Sequence, residues 1–207
     1  MKTTREKIVR EALKSFLTIG YENTSISYLA DRVNVTKPAI YYHFKDKQDI
    51  LLNTCRFLMN SIDEEYIRLF QQETSLEVIL KRMFYSVKDV QKKFGEITGF
   101  KTDKFNYHRF FFDCIKYLPS SSLIEEHYQK HSSLLFTRIK HAQENHQISS
   151  VLDFEAFAFQ VLATLEGAHL LSLYLPELRM EDLTKKMFSN LEQLLFIKDN
   201  EVDIKPS

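Results

Sequence analysis

Apolar residues in the first fifty positions recur every three or four residues in three successive segments. This spacing places them on one side of an α-helix, so each segment predicts a short helix with one buried face. We call this predicted three-helix segment, residues 1–47, the head. Its inward positions are Ile8, Ala12, Phe16 and Ile19 in the first helix, Leu29, Ala30 and Val33 in the second, and Ala39, Ile40 and Phe44 in the third.

Polar residues mark where these three helices begin. Thr3, with Glu6 three positions later, forms a capping-box pattern at the start of the first helix. Ser25 or Ser27 can cap the second helix, because a serine hydroxyl accepts a hydrogen bond from a free amide of the first turn. Thr36 can cap the third helix in the same way.

A sharp corner separates the second and third helices. Asn34 stands at the bend, and asparagine tolerates the left-handed backbone conformation better than most residues. Pro38 falls in the first turn of the third helix, where amides have no acceptor within the helix. With its apolar residues inward, the third helix presents polar, basic and aromatic groups outward. A helix of this kind, at a bent two-helix corner, has the geometry that enters a DNA major groove.

The rest of the chain also predicts helices. Four Gly and four Pro in 207 residues disfavour a turn-rich β fold. We therefore predict an all-α fold with about nine helices: the head, a helical regulatory and dimerisation domain at residues 48–197, and a flexible charged tail at residues 198–207. The predicted helices after the head cover residues 46–66, 74–94, 103–117, 120–145, 153–175 and 181–197.

Charge is distributed unevenly although the whole chain is neutral. Residues 1–50 carry nine Lys and Arg against six Asp and Glu, a net of +3 that leaves −3 for the rest. A positive end at the outward-facing helix suits a DNA-binding surface, and a dimer would place two such ends together. No apolar run approaches the ~18 residues that span a bilayer, and no signal peptide opens the chain, so we expect a cytoplasmic protein.

A distinctive motif, Ile-Tyr-Tyr-His-Phe followed by Lys-Asp-Lys, occupies the third helix and the residues after it. With this motif the head resembles the TetR family of bacterial transcriptional regulators, over about the first quarter of the chain. Asn34 departs from the family, which usually has Gly at the corner, but asparagine can adopt the same conformation. The resemblance implies a homodimer that binds a palindromic operator. The matching residues are 8–13, Phe16, Gly20, 24–26, Leu29, Ala30, 35–44 and Lys47.

The outward residues of the head divide by the DNA groups that they can contact. Lys37 can hydrogen-bond a guanine edge, and Thr36 and Tyr41 can contact thymine methyl groups or base edges. Most of the other outward residues are placed to contact DNA phosphates. Such contacts fix the position of the protein on DNA without reading the base sequence, and the resemblance implies the same division. The alternative is a solvated surface of a small helical domain. The predicted DNA-binding residues are Thr24, Ser25, Ser27, Thr36, Lys37, Ala39, Tyr41, Tyr42, His43 and Lys47.

The predicted helix at residues 153–175 is apolar on two faces, and both need to be buried. One face can pack in its own domain and the other on a second copy of the chain. The resemblance implies a dimer interface there, formed as a four-helix bundle with the last helix, whereas a monomer with a thicker core is the alternative. The predicted interface residues are Phe157, Val161, Leu165, Leu173, Leu191 and Leu194.

Aromatic residues are concentrated at residues 103–117. They can line a cavity for a small-molecule effector, as the resemblance implies, or form plain core. Glu166 lies in an apolar stretch and needs a partner, which can be a histidine, an arginine or a ligand cation. A role in the subunit interface is the alternative for Glu166. The predicted ligand-binding residues are His108, Arg109, Phe112, Phe136, Glu166 and His169.

Patterns for metal binding and catalysis are weaker. His127 and His131 have a spacing that can hold a metal ion, but no third ligand stands near them in an obvious pattern, so we interpret them as a surface pair. No phosphate loop, nucleophile elbow or HExxH motif occurs. We therefore expect no metal, no cofactor and no enzymatic activity. Cys55 and Cys114 lie in apolar helical surroundings and are predicted to be buried thiols.

These patterns together predict a dimeric, sequence-specific DNA-binding transcriptional regulator. We expect a repressor that a small-molecule effector, bound in the C-terminal domain, releases from a palindromic operator. The alternative is a DNA-binding regulator that a protein partner controls and that has no small-molecule cavity.

Overall fold

The structure, a computed structural model, describes residues 3–72, 75–85, 95–96, 107–118, 122–148, 153–175, 177 and 179–196. Within these residues the secondary structure is helical apart from one isolated backbone pairing between Ile148 and Phe196. The predicted all-α class with about nine helices is confirmed. The helices of this part of the chain are α1 (Thr4–Thr18), α2 (Ile26–Val33), α3 (Lys37–His43), α4 (Lys47–Gln72), α5 (Leu76–Tyr85), α6 (Tyr107–Tyr117), α7 (Ser122–Glu144), α8 (Phe154–Tyr174) and α9 (Met180–Leu195).

The two ends of α1 follow from local chemistry. Thr3 accepts a hydrogen bond from the amide of Glu6 at 3.2 Å, and the Glu6 carboxylate accepts one from the amide of Thr3 at 2.9 Å, so the predicted capping box is formed. The chain leaves α1 through Gly20, whose φ of 86° is left-handed. A side chain at Gly20 would also collide with the guanidinium of Arg109. The left-handed backbone is the reason that glycine is favoured there, since the exposed Arg109 side chain can move aside.

The corner between α2 and α3 forms as predicted. Asn34 adopts the left-handed conformation, with φ 56° and ψ 52°. Ser25 caps α2 by accepting a hydrogen bond from the amide of Tyr28 at 3.0 Å. Thr36 caps α3 by accepting one from the amide of Ala39 at 3.3 Å. Both helices therefore begin at the residues that the sequence indicated.

The head shares its core with segments that follow it in the chain. The chain forms two compact units, of which the first comprises Met1–Tyr66 and Asp89–Gln129. In this unit, buried residues of the head join buried residues of α4 and α6 in one apolar cluster. Because three short helices alone bury little surface, α4 and α6 stabilise the head. Central members of the cluster are Leu13, Phe16, Leu29, Ile40, Leu51, Leu58 and Phe110.

Polar contacts also join the end of α1 to α6 within the first unit. The amide of Tyr21 donates a hydrogen bond to Asp113 Oδ2 at 3.2 Å. Lys116 Nζ lies 3.3 Å from Glu22 Oε1, and the hydroxyl of Tyr117 donates a hydrogen bond to the same carboxylate oxygen. These two hydrogen bonds, that of Tyr117 first, lower the pKa of Glu22. The segment after α1 is thus attached to α6 through charged groups as well as through the core.

The second unit comprises Ile67–Lys88 and Lys130–Ser207. Here α9 packs against both α5 and α8. The ring centroid of Phe188 on α9 lies 6.1 Å from that of Phe84 and 5.9 Å from that of Tyr85. Arg138 of α7 donates a hydrogen bond to the Phe70 carbonyl at 2.5 Å. These contacts hold the end of α4 and the C-terminal part of α7 in the same unit as α5 and α9.

Several predicted bounds extend past the described residues. The helix predicted at residues 74–94 is observed as Leu76–Tyr85, and the one at residues 103–117 as Tyr107–Tyr117. Residues 86–94, 103–106 and the predicted tail at 198–207 lie outside the described residues. The domain boundary at about residue 47 stays a prediction about which part of the chain contacts DNA.

Two further observations concern the described helices. Cys55 of α4 and Cys114 of α6 are free and buried, as predicted. A hydrogen bond to Cys55, together with burial, raises the pKa of the Cys114 thiol. Among the residues that the structure describes, no helix combines the length and the apolar character needed to cross a membrane.

Candidate nucleic-acid interface

The outer face of α3 carries large side chains that the protein does not bury. Tyr42 is 85% exposed and Tyr41 is 55% exposed, although tyrosine side chains are usually at least partly buried. Lys37 is exposed at the start of the same helix. Ile40 and Phe44 are buried, so the inward and outward faces of α3 are divided as predicted. A phenol, an ammonium group and aromatic edges are therefore presented together to solvent.

Residues beside this face are less uniform. Ser25 and Thr36 are exposed, and each hydroxyl already accepts a capping hydrogen bond from its own helix. Their remaining donor and acceptor capacity is still available to an outside partner. Ser27, Ala39 and His43 are half-buried. The His43 ring lies 5.0 Å from the ring of the preceding tyrosine in an edge-on arrangement.

Thr24 is placed differently from the prediction. Its side chain is buried, and its hydroxyl donates a hydrogen bond to the Gly20 carbonyl at 2.8 Å. The prediction that this side chain contacts a phosphate is therefore wrong. Thr24 instead closes the turn that connects α1 to α2.

Lys47 also departs from the expected outward orientation. Its ammonium group donates a hydrogen bond to the Glu22 carbonyl at 3.2 Å and lies 4.3 Å from the centroid of the Tyr21 ring. Partial burial of the Lys47 ammonium group lowers the pKa of Lys47. Partial burial of the Tyr21 phenol raises the pKa of Tyr21. The ammonium group thus stabilises the turn after α1, and a contact with phosphate would first have to break these interactions.

The prediction of DNA-binding residues left out two exposed residues of the head that could also contact DNA. Tyr28 is exposed in the first turn of α2, and Lys45 is exposed directly after α3. Tyr28 lies off the apolar stripe of its helix, and this signal was present in the sequence. Lys45 belongs to the Lys-Asp-Lys motif, in which only the second lysine was selected.

Other basic residues of the head are occupied by internal contacts. Arg32 Nε lies 2.8 Å from Glu11 Oε1, and this hydrogen bond raises the pKa of Arg32. Arg5 donates a hydrogen bond to Asn53 Oδ1 at 2.5 Å. The nine Lys and Arg of residues 1–50 therefore overstate the number of cationic groups that are free to face an outside partner, although the net charge of +3 is unchanged by these contacts.

The predicted ligand-binding residues are placed in two separate units. In the first unit, Arg109 is exposed with its guanidinium against Gly20, and Phe112 is 59% exposed. Phe112 thus lies at the surface of the first unit, and its contact with a ligand stays a prediction. In the second unit, Phe136 packs edge-on against Phe154, with ring centroids 6.1 Å apart. Glu166 is half-buried, and the side chains of His108 and His169 lie outside the described part.

The predicted dimer residues fall largely on the wrong face of α8. Three of them, Phe157, Val161 and Leu165, are buried within the chain itself. They therefore form core, and the prediction that they contact a second subunit is wrong. On α9, Leu191 is half-buried, whereas Leu194 is 83% exposed. The side chain of Leu173 lies outside the described residues. Among the described side chains of α8, exposed apolar residues include Ala156, Phe159, Ala163, Leu171 and Tyr174.

His127 and His131 are not the surface pair that the sequence suggested. Both are buried, and His127 Nδ1 lies 2.6 Å from Asp63 Oδ1 of α4. The carboxylate stands 64 positions before His127 in the chain. No local pattern in the sequence could therefore have indicated this partner.

Known proteins resemble the N-terminal part of the chain most clearly. Residues 8–54 match the family model described as "Bacterial regulatory proteins, tetR family". The chain is 31% identical over 111 residues to the biofilm operon icaADBC HTH-type negative transcriptional regulator IcaR of Staphylococcus aureus (strain Newman), covering 46% of this chain and 60% of IcaR. It is 29% identical over 101 residues to the HTH-type transcriptional regulator TcmR of Streptomyces glaucescens, covering 48% of this chain and 43% of TcmR.

The alignments with these two relatives span about half of their length. A solved structure extends the likeness of fold to nearly the whole chain. The TetR-family transcriptional regulator from Cytophaga hutchinsonii superposes with a TM-score of 0.70 at 20% identity, over 94% of this chain and 96% of that one. At this level of identity the superposition shows a shared fold.

A capped two-helix corner with an exposed polar face on its second helix, together with these similarities, defines a helix-turn-helix segment of the kind found in transcriptional regulators. Its relatives are regulators and not enzymes. Among helix-turn-helix segments, the N-terminal region of the chain, residues 8–54, belongs to the TetR family.

Proposed function

We infer that this regulator acts as a homodimer, binds an inverted-repeat operator in double-stranded DNA and represses the transcription of neighbouring genes. The observation that carries the proposal is the outer face of α3, where Lys37, Tyr41 and Tyr42 are exposed together. A dimer would place two such helices in successive major grooves. Repression is supported by the similarity to IcaR, a negative transcriptional regulator. The site of action would be the bacterial cytoplasm, where the chromosome lies.

The exposed face of α8 supports dimerisation. Phe159, Leu171 and Tyr174 are exposed there, and Gly167 has no atom within 4 Å of the position where a side chain would begin. An apolar helix face with a glycine at its centre allows close approach of a second helix. In a two-fold dimer, the same face of the partner would cover it.

A small-molecule effector in the C-terminal domain is proposed to release the operator. α4 is continuous from Lys47, just after α3, to Gln72. A change at its far end can therefore be transmitted along one rigid element to the neighbourhood of α3. To empty the operator, the effector has to bind the DNA-incompetent state more tightly by several kcal/mol, about 5.5 for a shift from 1:99 to 99:1.

Control by a protein partner is the second candidate. Phe112 and Ile115 are both exposed on α6 and form an apolar surface in the first unit. Such a surface suits contact with another protein. In this case effectors of low molecular mass would leave operator binding unchanged.

Selection of bound sequences from a random duplex pool tests DNA recognition, with the mass of the protein measured in parallel by light scattering. We expect enrichment of an inverted repeat by a dimer. The variant Lys37→Ala/Tyr42→Ala serves as the matched control and should enrich no sequence. If a folded dimer enriches no sequence at low salt, the proposed function is wrong.

Substitution of Gly167 by arginine tests the dimer interface. The chain itself leaves room at this position, so we expect a folded protein with unchanged helix content. In the proposed dimer, two unpaired charges would be buried, which costs about 3 kcal/mol or more and raises the dissociation constant roughly a hundredfold. Sedimentation velocity measures the effect. Thr137→Arg, on the exposed side of α7, should stay dimeric, and an unaltered Gly167→Arg dimer would place the interface elsewhere.

A further inference from the structure

The two cysteines of the chain meet in the core of the first unit. Cys55 belongs to the inner face of α4, where Leu51 and Leu58 are buried at the same helical spacing. Cys114 belongs to the inner face of α6, one turn after the buried Phe110. Cys55 is fully buried and Cys114 is 1% exposed. A hydrogen bond between the two side chains places their sulfur atoms in contact.

We propose that hydrogen peroxide converts Cys55 and Cys114 of the reduced protein into a reversible disulfide between α4 and α6. Both thiols are free in the structure, which therefore shows the reduced state. A disulfide holds two sulfur atoms about 2.05 Å apart, so two cysteines have to face each other before they can be joined. In a reducing compartment such bonds are usually transient and serve to sense oxidants.

Plain core packing is the alternative role for these residues, because a free cysteine is often buried as a small apolar side chain. Burial by itself does not separate the two roles. The pairing does, since the chain has two cysteines in 207 residues and they occupy facing positions on two different helices. Apolar packing requires a side chain of suitable size at each position and does not require the two sulfur atoms to meet.

The two thiols are chemically unequal. The hydrogen bond from Cys114 lowers the pKa of Cys55, and the charge of the neighbouring Arg56 lowers it further against the effect of burial. The same hydrogen bond raises the pKa of Cys114, and burial and the charge of Asp113 raise it further. Because the thiolate is the reactive form, Cys55 is the thiol that reacts first and Cys114 is the one that completes the bond.

The oxidation proceeds in two steps. The Cys55 thiolate attacks one peroxide oxygen, the O–O bond breaks, and the released hydroxide takes up a proton to become water, which leaves a sulfenic acid on Cys55. The sulfur of Cys114 then attacks the sulfur of Cys55, and the S–O bond breaks as hydroxide leaves with the Cys114 proton as water. The two thiols thus lose two electrons, and one peroxide is reduced to two waters. Because both sulfur atoms are buried, peroxide reaches them when α4 and α6 open locally.

Peptide mapping of the full-length protein tests the disulfide directly. The reduced protein is treated with hydrogen peroxide, remaining thiols are alkylated in denaturant, and the peptides are analysed by mass spectrometry. We expect the peptides that contain Cys55 and Cys114 to be linked to each other within one chain, and dithiothreitol to restore both thiols. Cys114→Ala should stop at a sulfenic acid on Cys55, which dimedone traps, whereas Cys55→Ala should retain the thiol of Cys114.

Circular dichroism establishes that the parent stays folded during oxidation and that each variant is folded. The mapping of the parent decides the outcome if a variant is unstable. The proposal is overturned if the folded parent keeps both thiols at a peroxide dose that oxidises free glutathione. Linkage that forms only after unfolding in urea, or only between different chains, overturns it as well.

The crosslink also has a consequence for DNA binding, and this second part rests on the proposed function. α4 and α6 complete the core of the head, and drawing their sulfur atoms to bonding distance shifts both helices against it. We expect the oxidised protein to bind the operator roughly tenfold more weakly, within the range of about 5–150-fold that is typical of coupled sites. Fluorescence anisotropy before and after oxidation measures the change.

The double variant Cys55→Ala/Cys114→Ala is the matched control. It should bind the operator equally well with and without peroxide, which accounts for oxidation of other residues. Disulfide formation without a change in operator affinity would retain the modification site and reject its regulatory role. Absence of any operator would reject only the proposed function, since peptide mapping does not involve DNA.

Discussion

Replacing Lys37 and Tyr42 together with alanine should weaken operator binding at least about thirtyfold while leaving the fold intact. A direct contact to a base is worth about 1–3 kcal/mol, and a dimer loses each contact twice, so even one lost contact per head costs about 2 kcal/mol or more. Both side chains are exposed, so their removal opens no cavity. Fluorescence anisotropy with the selected operator measures the change.

Lys140→Ala is the matched control for this experiment. Lys140 is exposed on α7, and its replacement removes the same charge as the replacement of Lys37. We expect the control to retain parent affinity at moderate salt. If the double variant also binds as the parent does, α3 is not the helix that reads DNA, and the exposed residues of α2 become the next to test.

Truncation of Phe110 to alanine should lower the free energy of unfolding by about 3–5 kcal/mol, as is usual for a fully buried phenylalanine. Phe110 is buried in the core of the first unit, and its ring stacks 6.5 Å from that of Phe16 in α1. For a chain of this length the melting temperature should fall by roughly 6–20 °C, at about 2–4 °C per kcal/mol. Urea unfolding followed by circular dichroism measures the free energy.

Phe112→Ala provides a close comparison, because Phe112 is two positions away on the same helix and largely exposed. Its truncation should change stability by no more than about 0.5 kcal/mol. Equal losses in the two variants would mean that α6 is not attached to the head through Phe110. The pair also separates the two interpretations of the aromatic segment, since of these two phenylalanines only Phe110 is expected to act as core.

Local chemistry made the helix ends and the corner of the head predictable from sequence. The capping residues Thr3, Ser25 and Thr36 and the left-handed Asn34 act through neighbours within three or four positions. Hydrophobic periodicity similarly placed Ile40 inward and left the tyrosines of α3 outward. These features depend on short segments whose physics is complete in the sequence itself.

The incorrect site predictions depend on packing between distant segments. α8 is apolar on both faces, so periodicity could not decide whether Phe157 and Val161 face the core or a partner. Lys47 is held by the carbonyl of Glu22, which stands 25 positions earlier. The carboxylate beside His127 is more distant still. In each case the sequence contains the residue types, and only the folded chain shows which of them meet.

The core that the head shares with α4 and α6 limits how regulators of this kind can be recombined. A hybrid sensor joined at residue 47 would place the apolar faces of Leu13 and Phe16 against side chains that did not evolve to fit them. It would also remove the acceptor on Asp113 for the amide of Tyr21. A functional exchange of DNA specificity therefore calls for grafting only the exposed positions of α2 and α3 onto an otherwise unchanged chain.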